Sequence, residues 1–181
     1  KRLSMLNGVA NQAAAAIENV RLSSAREEEA WISWALLEVS QVMANARTVD
    51  HMLEQVVRLT PLLAGVGRCA ALLRDAQSDE FVVAHYYLGR REAPANLDGL
   101  RLQAGDLPLL DLAVSTQRIQ RVDDASQSDL VPPAWREGVG SKTLVVAPLL
   151  VQGAVRGALL VDSAELSYSM SQRREDILSG I

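Results

Sequence analysis

The stretch Lys142–Asp162, KTLVVAPLLVQGAVRGALLVD, decides the fold of this chain. Two apolar runs rich in Val and Leu flank Gln152-Gly153, and Gly157 lies within the second run. Near-continuous apolar character is typical of strands whose two faces are both covered. The stretch therefore predicts a β-hairpin at the centre of a buried sheet, which the rest of the chain extends or covers.

Composition and charge exclude several classes of function. The chain has 18 basic and 22 acidic residues, a net charge of −4, and one short run of like charge at Glu27-Glu28-Glu29. A nucleic-acid surface needs clustered Lys and Arg, so we expect no nucleic-acid partner. Cys69 is the single cysteine, which excludes an internal disulfide, and with only His51 and His85 besides we expect no metal site.

No apolar run approaches the ~20 residues that span a bilayer, so we expect no direct membrane insertion. The sequence shows no signal peptide and does not begin with Met. These features favour a cytoplasmic location, as an excised part of a larger cytoplasmic protein or of the cytoplasmic part of a membrane protein.

The N-terminal segment, residues 1–46, is predicted to be helical. A first set of apolar residues is spaced four, three, four and three apart, as in a heptad seam: Leu6, Ala10, Ala13, Ile17 and Val20. A polar stretch follows, and apolar periodicity resumes in a shifted phase at Ile32, Leu36, Val39 and Met43. This pattern predicts one long helix with two packing partners and a homodimer through the first seam. Two helices with a turn at Ser23-Ser24 are the alternative.

The rest of the chain predicts helices alternating with strands of an antiparallel sheet. Thr48 can cap a helix over Val49–Leu63 that Pro61 kinks or ends, and Asp106 can cap one over Leu107–Gln117. The other predicted elements are strands at Arg68–Arg74, Glu80–Tyr87 and Arg118–Val122, a short helix at Pro133–Glu137, and a final helix from Gln172, cut off at Ile181. This order indicates an α+β sandwich.

A near-repeat links the two ends of the chain. KRLSMLNGV, residues 1–9, aligns without gaps on RREDILSGI, residues 173–181, with Leu at the sixth position and Gly at the eighth. The opening segment is therefore interpreted as the closing helix of a preceding domain of the same kind. We expect a linker helix at residues 1–29 and a domain at residues 30–181 that is truncated in its last helix.

Residues 30–181 resemble the GAF domain family. The resemblance lies in LEVSQVMANARTVDHMLEQVVRLTPLLAGVGRCAALLRD from Leu37, AVSTQRIQRVDDA from Ala113, and the hairpin with Pro148, Gly153 and Gly157; NGVANQAAAAIENVRL from Asn7 is similar to the helix that leaves such a domain. The resemblance implies a PAS-related, six-stranded antiparallel sheet with helices on both faces. It implies a pocket on the face opposite the opening and closing helices, and a regulatory role in bacterial signalling proteins such as sensor histidine kinases.

The ligands and activities known in the family find little support in these residues. The Asn-Lys…Phe…Asp-Glu signature of cyclic-nucleotide sites is missing, and Cys69 lies in an apolar strand, which argues against a bilin. The family's methionine-sulfoxide reductases need more than one cysteine. Haem would have to use His85, because the insertion before the hairpin has no His. We expect no enzyme activity and no catalytic residues.

Five polar-tipped or aromatic residues fall in segments that would surround the pocket. Strand alternation puts His85 and Tyr87 on the face opposite Tyr86, so they cannot all line it. Trp135 is the best candidate for a lid, and core filling, turn capping by Asp123 and plain packing are the alternatives. The candidates are His85, Tyr86, Tyr87, Asp123 and Trp135.

Together these features predict a sensory module of a two-component histidine kinase that binds an unidentified small ligand, dimerises through long helices, or does both. The alternatives are a ligand-free dimerisation spacer and a haem-type chromophore sensor.

Overall fold

The computed structural model describes residues 47–64, 66–89, 97–138, 140 and 142–163, Leu178, and scattered positions between 18 and 44. The chain divides into two compact units, residues 1–38 and 39–181. All described positions between 18 and 44 are helical. The predicted seam at Leu6, Ala10, Ala13, Ile17 and Val20 lies outside the described residues. Of the two residues at the predicted boundary, Glu29 also lies outside them and Ala30 is helical.

The second unit contains a six-stranded sheet and, among its described residues, three α-helices with defined bounds, and every strand pair is antiparallel. The strand order across the sheet is β3-β2-β1-β6-β5-β4. The elements in chain order are α1 (Val49–Ala64), β1 (Arg68–Arg74), β2 (Phe81–Tyr87), β3 (Arg101–Leu102), α2 (Pro108–Thr116), β4 (Gln120–Val122), a 3₁₀ turn (Ala125–Gln127), α3 (Pro133–Gly138), β5 (Thr143–Val151) and β6 (Ala154–Ser163).

The predicted hairpin is confirmed and supplies the two strands β5 and β6. They pair from Thr143 opposite Ser163 to Val151 opposite Ala154, and β1 pairs with the other edge of β6. Gln152 and Gly153 have positive φ angles of 52° and 78°, the backbone of a type I′ turn, whose twist matches that of the strands it joins. Because β6 and β5 are internal strands whose central residues are covered on both faces, their sequence is nearly continuously apolar.

Gly157 is required by a close approach between strands. A Cβ atom at this position would overlap the backbone oxygen of Leu72 in β1 and would also press on the Leu149 side chain. The β5–β6 register shifts between Leu149 and Leu150, next to this glycine. A residue without a side chain therefore lets β1 and β6 pair at this irregularity.

The sheet separates two hydrophobic cores. On one face α1 buries Leu53, Val56 and Val57 against strand residues such as Leu159 and Val161, and Leu178 belongs to the same core. On the other face α2 contributes a set of buried residues, Leu109, Leu110 and Ala113, which pack with strand residues such as Leu72 and Val146. Helices on both faces of a six-stranded sheet match the expected fold.

α1 follows its predicted start. The Thr48 hydroxyl accepts a hydrogen bond from the His51 backbone N–H at 3.2 Å, which caps the first turn. Pro61 lies inside the helix, which continues to Ala64, so of its two predicted roles this proline does not end the helix, and the predicted end near Leu63 agrees with the structure to one residue. Near the C-terminus of a helix proline removes a single backbone hydrogen bond, which the buried surface of α1 offsets.

Other boundaries differ from the prediction for local reasons. Asp106 does not cap α2: its carboxylate accepts a hydrogen bond from the Gln103 N–H at 2.8 Å, and the helix starts at Pro108 after Leu107, which makes no side-chain cap. β3 was not predicted, because two residues carry no periodicity. β4 begins at Gln120 rather than Arg118.

Candidate ligand-binding site

A small cavity lies on the face of the sheet that carries α2 and α3. Its volume is about 40 Å³. Strand residues form the apolar wall, Leu88 and Leu97 close it from connecting segments, and Trp135 closes it from α3. The strand residues of this wall are Cys69, Ala70, Val83, Leu144 and Leu160. Because a single water needs roughly 10–15 Å³ of such space, this cavity has room for a few atoms only.

A buried ion pair forms one side of the cavity. Arg68 begins β1, and Asp162, directly opposite it on β6, accepts two hydrogen bonds: from Nε to Oδ1 at 2.5 Å and from Nη2 to Oδ2 at 2.6 Å. The side chains are 12% and 7% exposed. Paired guanidinium and carboxylate groups compensate each other's loss of solvation, whereas either group alone would be an uncompensated buried charge. The pair therefore fixes the register of β1 and β6 at the cavity.

Trp135 reaches the cavity from α3. The helix begins with a Trp135 N–H donating to the Pro132 carbonyl at 3.0 Å, and Arg136 Nη1 donates to the Ser126 carbonyl at 3.0 Å. The partly buried indole packs against the core of this face. The expectation that Trp135 covers the pocket region agrees with this position.

The other four predicted residues do not line the cavity. His85 faces α1, where Nε2 lies 2.8 Å from Asp50 Oδ1, and Tyr87 lies with it beside Leu62 in an open groove between α1 and the end of β2. A bulge determines these directions: Ala71 pairs with His85 and Leu72 with Val83, which leaves Ala84 as the extra residue.

Tyr86 and Asp123 also differ from the expected placement. Tyr86 packs against the cavity-side core. Partial desolvation raises the pKa of its hydroxyl, and the Asp98 carboxylate raises this pKa further. Asp123 is exposed and lies 3.1 Å from Arg121 Nε. The neighbouring Asp124 does the capping considered for Asp123, since its carboxylate accepts the Ser126 N–H at 2.9 Å.

Sequence reasoning missed the polar part of the site, Arg68 and Asp162. Both residues flank near-continuous apolar strands. A charged residue at the end of a buried strand indicates a buried ion pair, because buried charges are paired. Neither residue has its partner nearby in the sequence, since 94 positions separate them.

Neither chromophore considered for this fold fits the described residues. Burial raises the pKa of the Cys69 thiol to about 12, so the thiolate that a bilin linkage needs is strongly disfavoured. His85 points to the opposite face of the sheet from the cavity, so it does not offer haem an axial ligand there. Within the described part of the chain no group of three His, Cys, Asp or Glu side chains could hold a metal ion.

None of the described helices is both long and apolar enough to cross a bilayer.

The chain belongs to the GAF domain family: the sequence model of the GAF domain matches residues 48–180. GAF domains are regulatory and sensory modules, and the six-stranded antiparallel sheet agrees with the membership. A comparison with curated protein sequences gave no match.

Solved structures share the fold at low sequence identity. The GAF domain of a phosphoenolpyruvate-protein phosphotransferase from Coxiella burnetii has a TM-score of 0.69 at 19% identity, over 81% of this chain and 84% of that one. The phycocyanobilin-bound GAF domain of a cyanobacterial phytochrome has a TM-score of 0.68 at 16% identity, over 82% and 88%. Free methionine-R-sulfoxide reductase from Neisseria meningitidis, solved with its substrate, has a TM-score of 0.61 at 19% identity, over 82% and 86%. Such different proteins on one fold mean that the site, and not the fold, must decide the ligand.

Proposed function

We propose that this chain is a non-catalytic sensory module of a cytoplasmic signalling protein, in which a small molecule in the sheet cavity alters helix packing. The proposal rests on the ends of β1 and β6, whose residues contribute to the cores on both faces of the sheet. Ala70 and Leu160 pack in the core on the cavity side, whereas their neighbours Cys69 and Val161 pack in the core beneath α1, and Cys69 also borders the cavity. An occupant that displaces these strand ends therefore moves the surface on which α1 packs.

The output of the module is a dimeric helix, and the parent protein is a sensor histidine kinase. The heptad spacing of the N-terminal seam supports this proposal. Leu178, 3% exposed in the helix-side core, matches Leu6 in the near-repeat, which supports residues 1–9 as the closing helix of a preceding GAF domain. The raised pKa of the Cys69 thiol supports the absence of thiol chemistry.

The test is mass spectrometry of the protein purified from cells, under native and denaturing conditions, with an absorption scan. A stoichiometric extra mass under native conditions supports a ligand sensor and gives the size of the ligand. The proposed dimeric helix is tested by light scattering. The Ala13→Glu/Ile17→Glu variant should be a monomer where the unmodified chain is a dimer. An unchanged oligomeric mass would show that the seam is not the interface.

A second candidate is a ligand-free dimerisation spacer. The observation that favours it is the cavity volume of about 40 Å³, because ligand pockets occupy about 300–1,000 Å³. A dimer with no extra mass would support this candidate, and an extra mass would exclude it.

A further inference from the structure

We propose that Trp135 is a displaceable plug, and that the space it fills accepts an uncharged flat ring about the size of indole. This inference rests on the proposed ligand-sensing function and names the class of ligand. It reconciles the small cavity with that function, because the ligand takes the place of a side chain instead of filling existing space.

The surroundings of Trp135 have the chemistry of such a site. The indole packs against an apolar wall that includes Ala70, Val83 and Leu160, and about 40 Å³ remains beside it. An apolar protein cavity of about 150 Å³ binds benzene. A tryptophan side chain is larger than benzene, so its departure opens space for a ligand with one ring or two fused rings.

The attachment of α3 suits a part that moves. The helix has six residues and follows Pro132, and Gly140 beyond its end has a φ of 66°, a conformation that favours glycine. The exposed hydrogen bond from Arg136 to the Ser126 carbonyl is easily replaced by water. Trp135 is partly exposed, whereas Leu109 and Leu110 of α2 are fully buried, so the core of this face keeps its main contacts when the indole leaves.

The ion pair argues for an uncharged ligand. Arg68 and Asp162 satisfy each other through two hydrogen bonds at the cavity wall. A charged ligand would have to separate them and leave one as an uncompensated buried charge, whereas a neutral ring lies against the pair without disturbing it.

The experiment uses indole and a Trp31→Phe/Trp34→Phe background, in which Trp135 is the single tryptophan. In ¹⁵N-labelled protein the Trp135 Nε1–H resonance then reports on the plug, and unlabelled indole is added stepwise. Displacement should move this resonance towards that of free tryptophan and speed its hydrogen exchange at least about tenfold. Trp135→Ala in the unmodified chain should bind indole at least about tenfold more tightly than the background protein, since no side chain has to leave first.

The controls separate this inference from the proposed function. Tyr87→Ala removes an aromatic ring on the other face of the sheet and should leave the affinity for indole unchanged. Equal affinities of the background protein and Trp135→Ala would overturn the plug while leaving a ligand site possible. A folded Trp135→Ala that binds no indole would overturn both the plug and a ring-sized ligand. If Trp135→Ala does not fold, Trp135→Leu takes its place in the same comparison. The Trp135 resonance in the background protein shows independently whether indole displaces the side chain.

Discussion

Cys69 shows how one buried group links pH to stability. Burial raises the pKa of its thiol from 9.0 to about 12, and the Asp162 carboxylate adds to the increase, while a hydrogen bond with Thr60 opposes it. Above pH 9.0 the unfolded chain loses this proton and the folded chain keeps it, so the unfolded state gains stability as the pH rises. The folded state therefore loses up to about 1.4 kcal/mol per pH unit between those two values.

The Cys69→Ala variant should remove this dependence. Urea unfolding at a series of pH values above 9.0 should show a shallower fall in the free energy of unfolding for the variant than for the unmodified chain. Below pH 9.0 the two slopes should agree, because the thiol is protonated in both states. Equal slopes above it would mean that the thiol titrates normally in the folded protein.

Gly157 has a steric role that alanine cannot fill. Gly157→Ala should lower the free energy of unfolding by about 1–3 kcal/mol, because the new methyl group would overlap the Leu72 carbonyl. Gly67→Ala is the matched control, since a Cβ there meets only an ordinary contact at 3.9 Å from the Asp162 carbonyl oxygen. Urea unfolding measures both, and an equal effect at the two positions would contradict the steric explanation.

At the scale of elements, the Arg68–Asp162 pair joins the strands β1 and β6. Arg68→Met alone should cost about 3–5 kcal/mol of stability, because the buried Asp162 carboxylate then loses the guanidinium charge opposite it. The double variant Arg68→Met/Asp162→Leu should recover most of this loss. The half-exposed pair Glu54–Arg58 on α1 is the control, and its double-mutant cycle should give about 1 kcal/mol or less. Additive effects of the two substitutions at Arg68 and Asp162 would mean that the pair is not coupled.

The β5–β6 turn offers a stabilising substitution. Gln152 has a left-handed backbone, which Asn adopts more readily than Gln. Gln152→Asn should raise the midpoint of thermal unfolding, because it should increase the free energy of unfolding by about 0.5 kcal/mol. Gly153→Ala should lower it, since φ at this position is 78°. A lower midpoint for the asparagine variant would show that the Gln152 side chain has a role of its own.

At the scale of the whole molecule, the far end of the chain contributes to the core beneath α1. Leu178 is 3% exposed and belongs to the core that contains Leu53 and Val56. Leu178→Ala should cost about 2–5 kcal/mol of stability in urea unfolding. Leu62→Ala, at a position that is 72% exposed, should change stability far less. Similar small effects of both would show that the closing segment does not stabilise the domain.

Periodicity and turn chemistry predicted most of the fold, because they are local properties. The hairpin around Gln152-Gly153 and the cap at Thr48 can both be predicted from adjacent residues. The site could not be predicted in the same way. Arg68 and Asp162 meet only after strand pairing, and the face of His85 depends on the bulge at Ala84. Trp135 borders the cavity, and the two features that made it a candidate, its size and its position in an insertion, are visible in the sequence.

The two outermost strands of the sheet limit how a neighbouring molecule can pair with it. β3 has two residues and β4 has three, so the outermost described strand at each border offers a neighbouring molecule very few regular backbone donors and acceptors. Long, flat borders are the usual starting points for aggregation between sheets. At a high local concentration, border strands this short therefore give a second copy of the domain little to pair with at those positions.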